Sequence, residues 1–330
     1  MITMTEIASL TGVSQATVSR VLNGNSSVSP ETAKKVLDCA KEHQYQPNFI
    51  AQSLVGNKTF LIGLVLSDIS NPFFAELAKA VESEARNKKY SIILFNTDYS
   101  LEREESALEI LKRYRADGLL FSPASWSPEV VEKRMQYDMP MVSVTIDMGK
   151  IDSVYVSHFE AGEKIARHFL KMGYENFIFA GGKDDDKEKG FLSGLSKDGV
   201  NLDKHYFYID SHDDDEMKTN LAERVCLAKN VGIFAHNDIQ AVKIAEILKE
   251  LKLEIPHDAA LAGFDNTFLA KITTPALTSI AQPIEEMGKL AVERLMEKID
   301  GVDKEKCVRY QLDTRLISRG STIKSNKFID

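Results

Sequence analysis

From residue 60 onward, apolar runs of strand length alternate with longer stretches whose apolar residues recur at helical spacing. The apolar runs fall at 60–66, 91–96, 118–121 and 141–146, and again at 176–180, 206–209, 231–235 and 259–263. Helical spacing holds over 72–88, which Asn71 caps, over 101–113 and from Pro128, then over 160–172, 187–195, 215–228, 239–251 and 284–300. Such alternation predicts a parallel sheet covered on both faces, because each crossover must return over the sheet. The plan is written twice, which predicts two doubly wound α/β lobes with a cleft between them.

The first 58 residues follow a different pattern. Gly12 marks a tight turn, and Ser14 is placed to cap a helix by accepting from an early backbone N–H. Val18, Val21 and Leu22 then share one helical face, leaving Gln15, Ala16, Ser19 and Arg20 outside. Ile7, Ala8 and Leu10 form an apolar pattern before the turn. Two short helices joined by a glycine turn read either as an ordinary helical hairpin or as a DNA-binding helix-turn-helix. Ser29 and Pro30 read as N-cap and first residue of a third helix ending near His43, with Val36, Leu37, Ala40 and Tyr45 closing a small core. Pro47 ends that pattern, Asn48 can cap a new helix and Gly56 can end it. A helix this short is marginal in water, so it is expected to fold only with DNA and a second subunit present.

The residues opening the second helix suit a major groove. Gln15 can read adenine through two hydrogen bonds, Ala16 can touch a thymine methyl, and Arg20 can reach a guanine edge, its alternatives being a phosphate or an intramolecular salt bridge. Thr3, Ser14, Thr17, Ser19 and Asn23 are expected to position phosphates, with a packing role as the alternative for Thr17.

Charge narrows the mode of binding. The chain of 330 residues carries a formal net charge of −8. Within residues 1–57, Arg20, Lys34, Lys35 and Lys41 are balanced by Glu6, Glu31, Asp38 and Glu42. The head is therefore neutral and lacks a basic footprint, so binding must rest on local donors and on two heads acting together. Cys39, Cys226 and Cys307 have no metal-like spacing and suit a reducing cytosol. No secretory leader and no apolar stretch of membrane length is present, which predicts a cytoplasmic protein. No nucleophile–base arrangement, phosphate loop or metal-ligand spacing is found, so neither enzymatic activity nor a cofactor is expected.

The chain resembles the LacI/GalR family of bacterial transcription regulators. The matching residues are Thr3, Glu6-Ile7-Ala8, Gly12-Val13-Ser14, Thr17 to Asn23, Val28-Ser29, Tyr45 to Asn48, Ala51 to Leu54 and Ile62-Gly63. They continue through Ser67 to Phe74, Asp117-Gly118, Asn237-Asp238, Gly263 to Asn266, Thr274 to Thr278 and Gln282-Pro283. The resemblance implies a small all-α helix-turn-helix head (1–46), a hinge helix and linker (47–58) and a periplasmic-binding-protein-like core (59–330). In that core the N-terminal lobe spans 59–156 and 283–309 and the C-terminal lobe 157–282 and 310–330, with crossings near Ser157, Gln282 and Tyr310. It implies a homodimer on a palindromic double-stranded operator, with Leu54 as a minor-groove wedge or as packing between paired hinge helices. It further implies a repressor of carbohydrate-utilisation genes released by a small sugar-type effector. Control by a protein partner or corepressor is the alternative.

Loops at the C-terminal ends of the strands should line the cleft. They carry Asn71, Phe73, Ser122, Trp126, Asn237, Asp238 and Asp265, and Lys187 is expected to join them as an effector-binding residue. Asp265 matches a ligand-binding aspartate of the family, or serves as a cap; Phe73 is equally a core residue, and Trp126 equally a surface or dimer residue. The chain departs from the family pattern at Lys187, where an arginine is expected, and at Ser157-His158, where Asp-Asn is common. Lysine offers a point charge and no bidentate fork. The acidic runs 184–186 and 213–215 read as solvated loops.

Overall fold

The computed structural model describes residues 2–22, 28–45, 58–182, 185–210, 214–302 and 307–324. The chain divides into two compact units, Met1–Thr59 and Phe60–Asp330. Asn23 and Leu54, and most of the expected hinge, lie outside the described residues.

The first unit is a three-helix head. Helix α1 (Met4–Thr11) starts at a capping box in which Thr3 and Glu6 bond reciprocally, and it stops at Gly12, whose φ of 69° places it in the left-handed region. Helix α2 (Gln15–Leu22) is capped by Ser14, whose Oγ accepts from the Thr17 amide at 3.1 Å. Helix α3 (Pro30–Glu42) begins at the expected Ser29-Pro30 pair. Ile7, Ala8, Val18, Val21, Val36 and Ala40 form the buried core, with Leu22 and Tyr45 against it. Leu10 and Leu37 correct the sequence reading, since they are 58% and 50% exposed. The buried arcs run through Ile7, Ala8 and Thr11 and through Val36 and Ala40, and a head of this size encloses too little volume to take the flanking leucines as well.

The second unit holds two six-stranded sheets. Along the chain it runs β1 (Leu61–Leu66), α4 (Pro72–Asn87), β2 (Ser91–Asn96), α5 (Leu101–Arg113), β3 (Gly118–Phe121), α6 (Pro128–Met135), β4 (Met141–Thr145) and β5 (Ser153–Val156). The second lobe continues with α7 (His158–Met172), β6 (Asn176–Gly181), α8 (Asp186–Lys197), α9 (Leu202–His205), β7 (Tyr206–Asp210), α10 (Asp214–Leu227) and β8 (Val231–Ala235). After α11 (Asp238–Glu250), β9 (Ala259–Asp265), α12 (Phe268–Ile272) and β10 (Thr278–Ala281), the chain ends through α13 (Ile284–Ile299), β11 (Arg309–Leu312) and β12 (Arg315–Ile317). The strand orders are β11-β5-β4-β3-β1-β2 and β12-β10-β9-β8-β6-β7. All pairings are parallel except that of β12 with β10.

The sheet memberships fix where the chain changes lobe. It leaves the first sheet after Val156 and the second after Ala281. Helix α13 then packs on the first lobe: a Cβ at Gly288 would lie 2.7 Å from Ala80 of α4, and one at Gly118 of β3 would lie 2.8 Å from Leu295. The third crossing differs from expectation. Tyr310 lies inside β11, opposite Val154 of the first sheet, so the switch falls between Leu312 and Arg315. Strands this short carry too few residues to show which sheet they join until their partners are seen.

Candidate DNA-reading helix and ligand cleft

On the head, Gln15, Ala16 and Arg20 are exposed on one side of α2 while Val18 and Val21 are buried on the other. This is the division that a groove-reading helix requires. Ser14 Oγ and Thr17 Oγ1 lie 2.9 Å apart at the start of α2, so these two hydroxyls are held together where the helix presents its unpaired N–H groups. Ser19 is half-buried. Thr3 is placed differently: its hydroxyl donates to Glu6 Oε2 at 2.9 Å and its backbone N–H to the same oxygen at 2.8 Å, so it is first a helix cap. Bonding from the Thr3 backbone and hydroxyl holds the Glu6 carboxyl below its ordinary range.

Within the second unit, a cavity of about 700 Å³ opens at the C-terminal ends of the strands. On its first-lobe wall, Ser67, Ser122 and Thr145 end β1, β3 and β4, with Oγ atoms 3.3 Å apart for the first pair and Ser122 Oγ 3.1 Å from Thr145 Oγ1. All three are buried. Asn71 accepts from the Phe73 amide at 3.0 Å and so caps α4 at the edge of the cavity. Phe73 both lines the cavity and joins the apolar core. Trp126, the only tryptophan, lines the rim and is 58% exposed.

Charge is concentrated on the second-lobe wall. Lys187 reaches it because α7 and α8 approach closely, where a Cβ at Gly162 would sit 2.2 Å from the Lys187 carbonyl and one at Gly190 1.9 Å from that of Phe159. Lys187 Nζ donates to the His236 carbonyl at 3.1 Å and lies 4.3 Å above the ring of Phe264. Asp185 accepts from the Lys187 amide at 2.8 Å, and its other oxygen is 2.6 Å from His236 Nδ1, off the ideal hydrogen-bond direction. Burial would raise the Asp185 carboxyl, but the charge of Lys187 and the His236 contact outweigh it and hold the group well below the carboxylate range. Asp265 is buried with φ of 96°, and it accepts from Gln282 Nε2 at 2.7 Å. Its carboxyl is raised by burial against the opposing pull of Lys187 and Gln282. His158 is pushed down to about 3 by burial and by Lys187, so it is neutral.

Of the residues expected in the cleft, Asn71, Phe73, Ser122, Trp126, Lys187, Asn237 and Asp265 line it. Asp238 does not. It is buried behind the wall, accepting from the Thr267 amide at 2.7 Å, the Thr267 hydroxyl at 3.0 Å and Ser279 at 2.6 Å. Burial and the neighbouring Asp265 raise its carboxyl to about 7. Asn237 caps α11 by accepting from the Gln240 amide at 2.8 Å. Asp185 corrects the reading of 184–186 as a plain solvated run, while Asp186 pairs with Lys189 at 2.8 Å. Asp184 and Asp213 lie outside the described residues. The pairing of Asp185 with His236 had no sequence signal, because the two stand on different strand-end loops. Among the described residues no group of His, Cys, Asp or Glu is arranged to hold a metal, and no helix is long and apolar enough to cross a membrane.

Head and core together define a transcription regulator with a helix-turn-helix head and a two-lobed ligand-binding core. Residues 3–48 match the family model for bacterial regulatory proteins of the lacI family, and residues 166–322 match a periplasmic binding protein-like domain. The transcriptional regulator RegA of Clostridium saccharobutylicum is 32% identical over 327 residues, covering 96% of this chain and 98% of its own. This chain therefore belongs to the LacI family and is a DNA-binding transcriptional regulator. A lac repressor dimer bound to operator and an anti-inducer shares the fold, with a TM-score of 0.87 and 22% identity over 98% of this chain and 99% of its own. A LacI-type regulator from Alkaliphilus metalliredigens, solved with D-xylulofuranose, has a TM-score of 0.70 and 29% identity over 80% of this chain and 99% of its own.

Proposed function

We propose that this regulator is a repressor that binds a palindromic operator as a homodimer and leaves it when a small sugar enters the cleft. The observation that carries the reading is the 700 Å³ cavity, which combines strand-end hydroxyls, a buried carboxylate at Asp265 and exposed aromatic rings. That volume suits a small ligand, and the mixture matches a sugar, with hydroxyls for the polar groups and rings for its apolar face. The relative solved with a furanose supports the class. Gln15, Ala16 and Arg20 read bases, while Ser14, Thr17, Ser19 and Asn23 set the register on phosphates. Leu54 is the minor-groove wedge, in keeping with the family resemblance. The ligand acts through its unequal affinity for the two lobe arrangements, and that difference bounds how far the operator affinity can shift. The protein works in the cytoplasm and catalyses no reaction. Control by a protein partner or corepressor is the second reading and is not favoured.

The test is fluorescence anisotropy on a palindromic operator with a CG centre, taken from upstream of the protein's own gene, with and without a panel of sugars. Tight binding relieved by one sugar is expected. Tight binding that every sugar leaves unchanged would sink the inducible reading.

A further inference from the structure

The charges around the cavity select among sugars. The first-lobe wall offers hydroxyls and rings and, among the described lining residues, no cation. The second-lobe wall carries the carboxylates Asp185, Asp186 and Asp265 against the ammonium groups of Lys187 and Lys189, with the His236 imidazole beside them. Both lysines act on carboxylates of the same wall. Lys189 pairs with Asp186 at 2.8 Å, and His236 Nδ1 stands 2.6 Å from Asp185. Lys187 is 6% exposed, bonded to a carbonyl and seated on the Phe264 ring, with its charge acting on both Asp185 and Asp265. A phosphate or carboxylate entering this site would be stripped of water and set against Asp185 and Asp265, two carboxylates that the single buried ammonium of Lys187 already serves.

The acceptors make the complementary demand. Gln282 Nε2 donates to Asp265, which fixes the amide orientation, because the reverse would press an oxygen against a carboxylate. Gln282 Oε1 is thereby left as a buried acceptor with no partner among the described residues. That atom calls for a donor, which a sugar hydroxyl supplies and a phosphate dianion placed there does not.

We propose that the cleft takes an uncharged polyhydroxylated effector, a free monosaccharide or small neutral glycoside, and rejects the phosphorylated and acidic forms of the same sugars, with Asp185 and Asp265 as the charge filter. The inference rests on the reading of the cleft as a sugar site and adds the charge class of the ligand.

Isothermal titration calorimetry on the full chain tests it with matched probes: glucose, glucose 6-phosphate and glucuronate; ribose and ribose 5-phosphate; xylulose and xylulose 5-phosphate; and cellobiose. At least one neutral sugar should bind, and its anionic counterpart should bind at least about tenfold more weakly, the discrimination that one unfavourable buried contact supplies. Asp185→Asn keeps a side chain able to cap α8 and removes one negative charge, so it should narrow that gap. An anionic sugar that binds more tightly than its neutral parent overturns the charge filter and leaves the sugar site standing. An unchanged gap in Asp185→Asn overturns the assignment of that residue. Binding of no probe overturns the sugar reading, and the inference falls with it.

Discussion

Gln282 donates its side-chain amide to Asp265 at 2.7 Å, tying the segment that leaves the second lobe to the carboxylate in the cleft wall. Gln282 directly follows β10 and precedes α13, which packs on the first lobe. A ligand that draws on Asp265 therefore acts on a residue at a lobe crossing. Asp265→Asn should weaken effector binding by about tenfold or more, the loss of one charge-assisted hydrogen bond. Operator binding without effector should stay within about twofold, well inside 1.4 kcal/mol. Calorimetry with the inducing sugar and anisotropy with the operator read the two effects separately. Equal loss of both would remove Asp265 from the effector site.

Base reading is assigned to the exposed start of α2. Exchanging Gln15-Ala16 for another pair should change which bases are preferred, each good bidentate contact being worth about 1–3 kcal/mol of discrimination. Selection from a randomised operator pool measures it. A uniform loss of affinity with the same preferred sequence would show that these residues do not read bases.

The neutral head predicts a shallow salt dependence. Four basic residues in positions 1–57 are matched by four acidic ones. With few phosphates neutralised per head, the slope of log affinity against log salt should fall well short of about −10, the steep value of a strongly basic contact set. Anisotropy titrations between low and moderate salt give the slope directly, and a steep one would show basic contacts from elsewhere in the chain.

A buried ion pair braces the loop that carries Ser122 and Trp126. Glu104 Oε1 accepts from Arg134 Nε at 2.9 Å and Nη2 at 2.6 Å, and its Oε2 accepts from the Ala124 amide at 2.6 Å. Both side chains are fully buried. Glu104→Gln should cost about 3–5 kcal/mol of core stability, because it leaves the Arg134 charge uncompensated. Urea unfolding measures this, and a loss below 1 kcal/mol would show that the pair is dispensable.

Acid should weaken the core through His168. Its Nε2 lies 2.8 Å from Thr322 Oγ1, and burial followed by Lys171 pushes its pKa down from 6.5 to about 4. The unfolded chain then binds the extra proton between those values, so this stability is present above pH 6.5 and is lost as pH falls towards 4. The ceiling is about 3 kcal/mol, at 1.36 kcal/mol per pKa unit. Asp238 acts with the opposite sign, losing stability as pH rises from 3.8 towards 7, but it is common to parent and variant. His168→Gln should therefore show a smaller drop in melting temperature from pH 7 to pH 5 than the parent, by several degrees. Identical drops would remove His168 as a source of the acid sensitivity.

Most of the architecture was legible in the residues themselves. The spacing of apolar positions marked the long helices and the central strands to within a few residues, since burial against a sheet or helix imposes its own period on the sequence. The caps at Ser14, Ser29 and Asn71 were equally plain, because an unpaired helix N-terminus needs a short polar side chain at one fixed position. The exposed face of α2 followed from the burial of Val18 and Val21.

Tertiary structure decided what depends on which distant residues meet. Asp238 and Asp265 are both acidic residues at strand ends, yet one is enclosed by Thr267 and Ser279 and the other faces the cavity. Asp185 stands in an acidic run that reads as solvent-exposed, and only the approach of the loop after β8 sets His236 beside it. The third lobe crossing also escaped the sequence, because β11 and β12 are too short to choose a sheet by pattern and are sorted by their hydrogen-bonding partners. Local periodicity determines elements, since each residue carries its own burial preference. The chemistry of the cleft depends on contacts between strand-end loops far apart along the chain, and only the folded lobes bring those loops together.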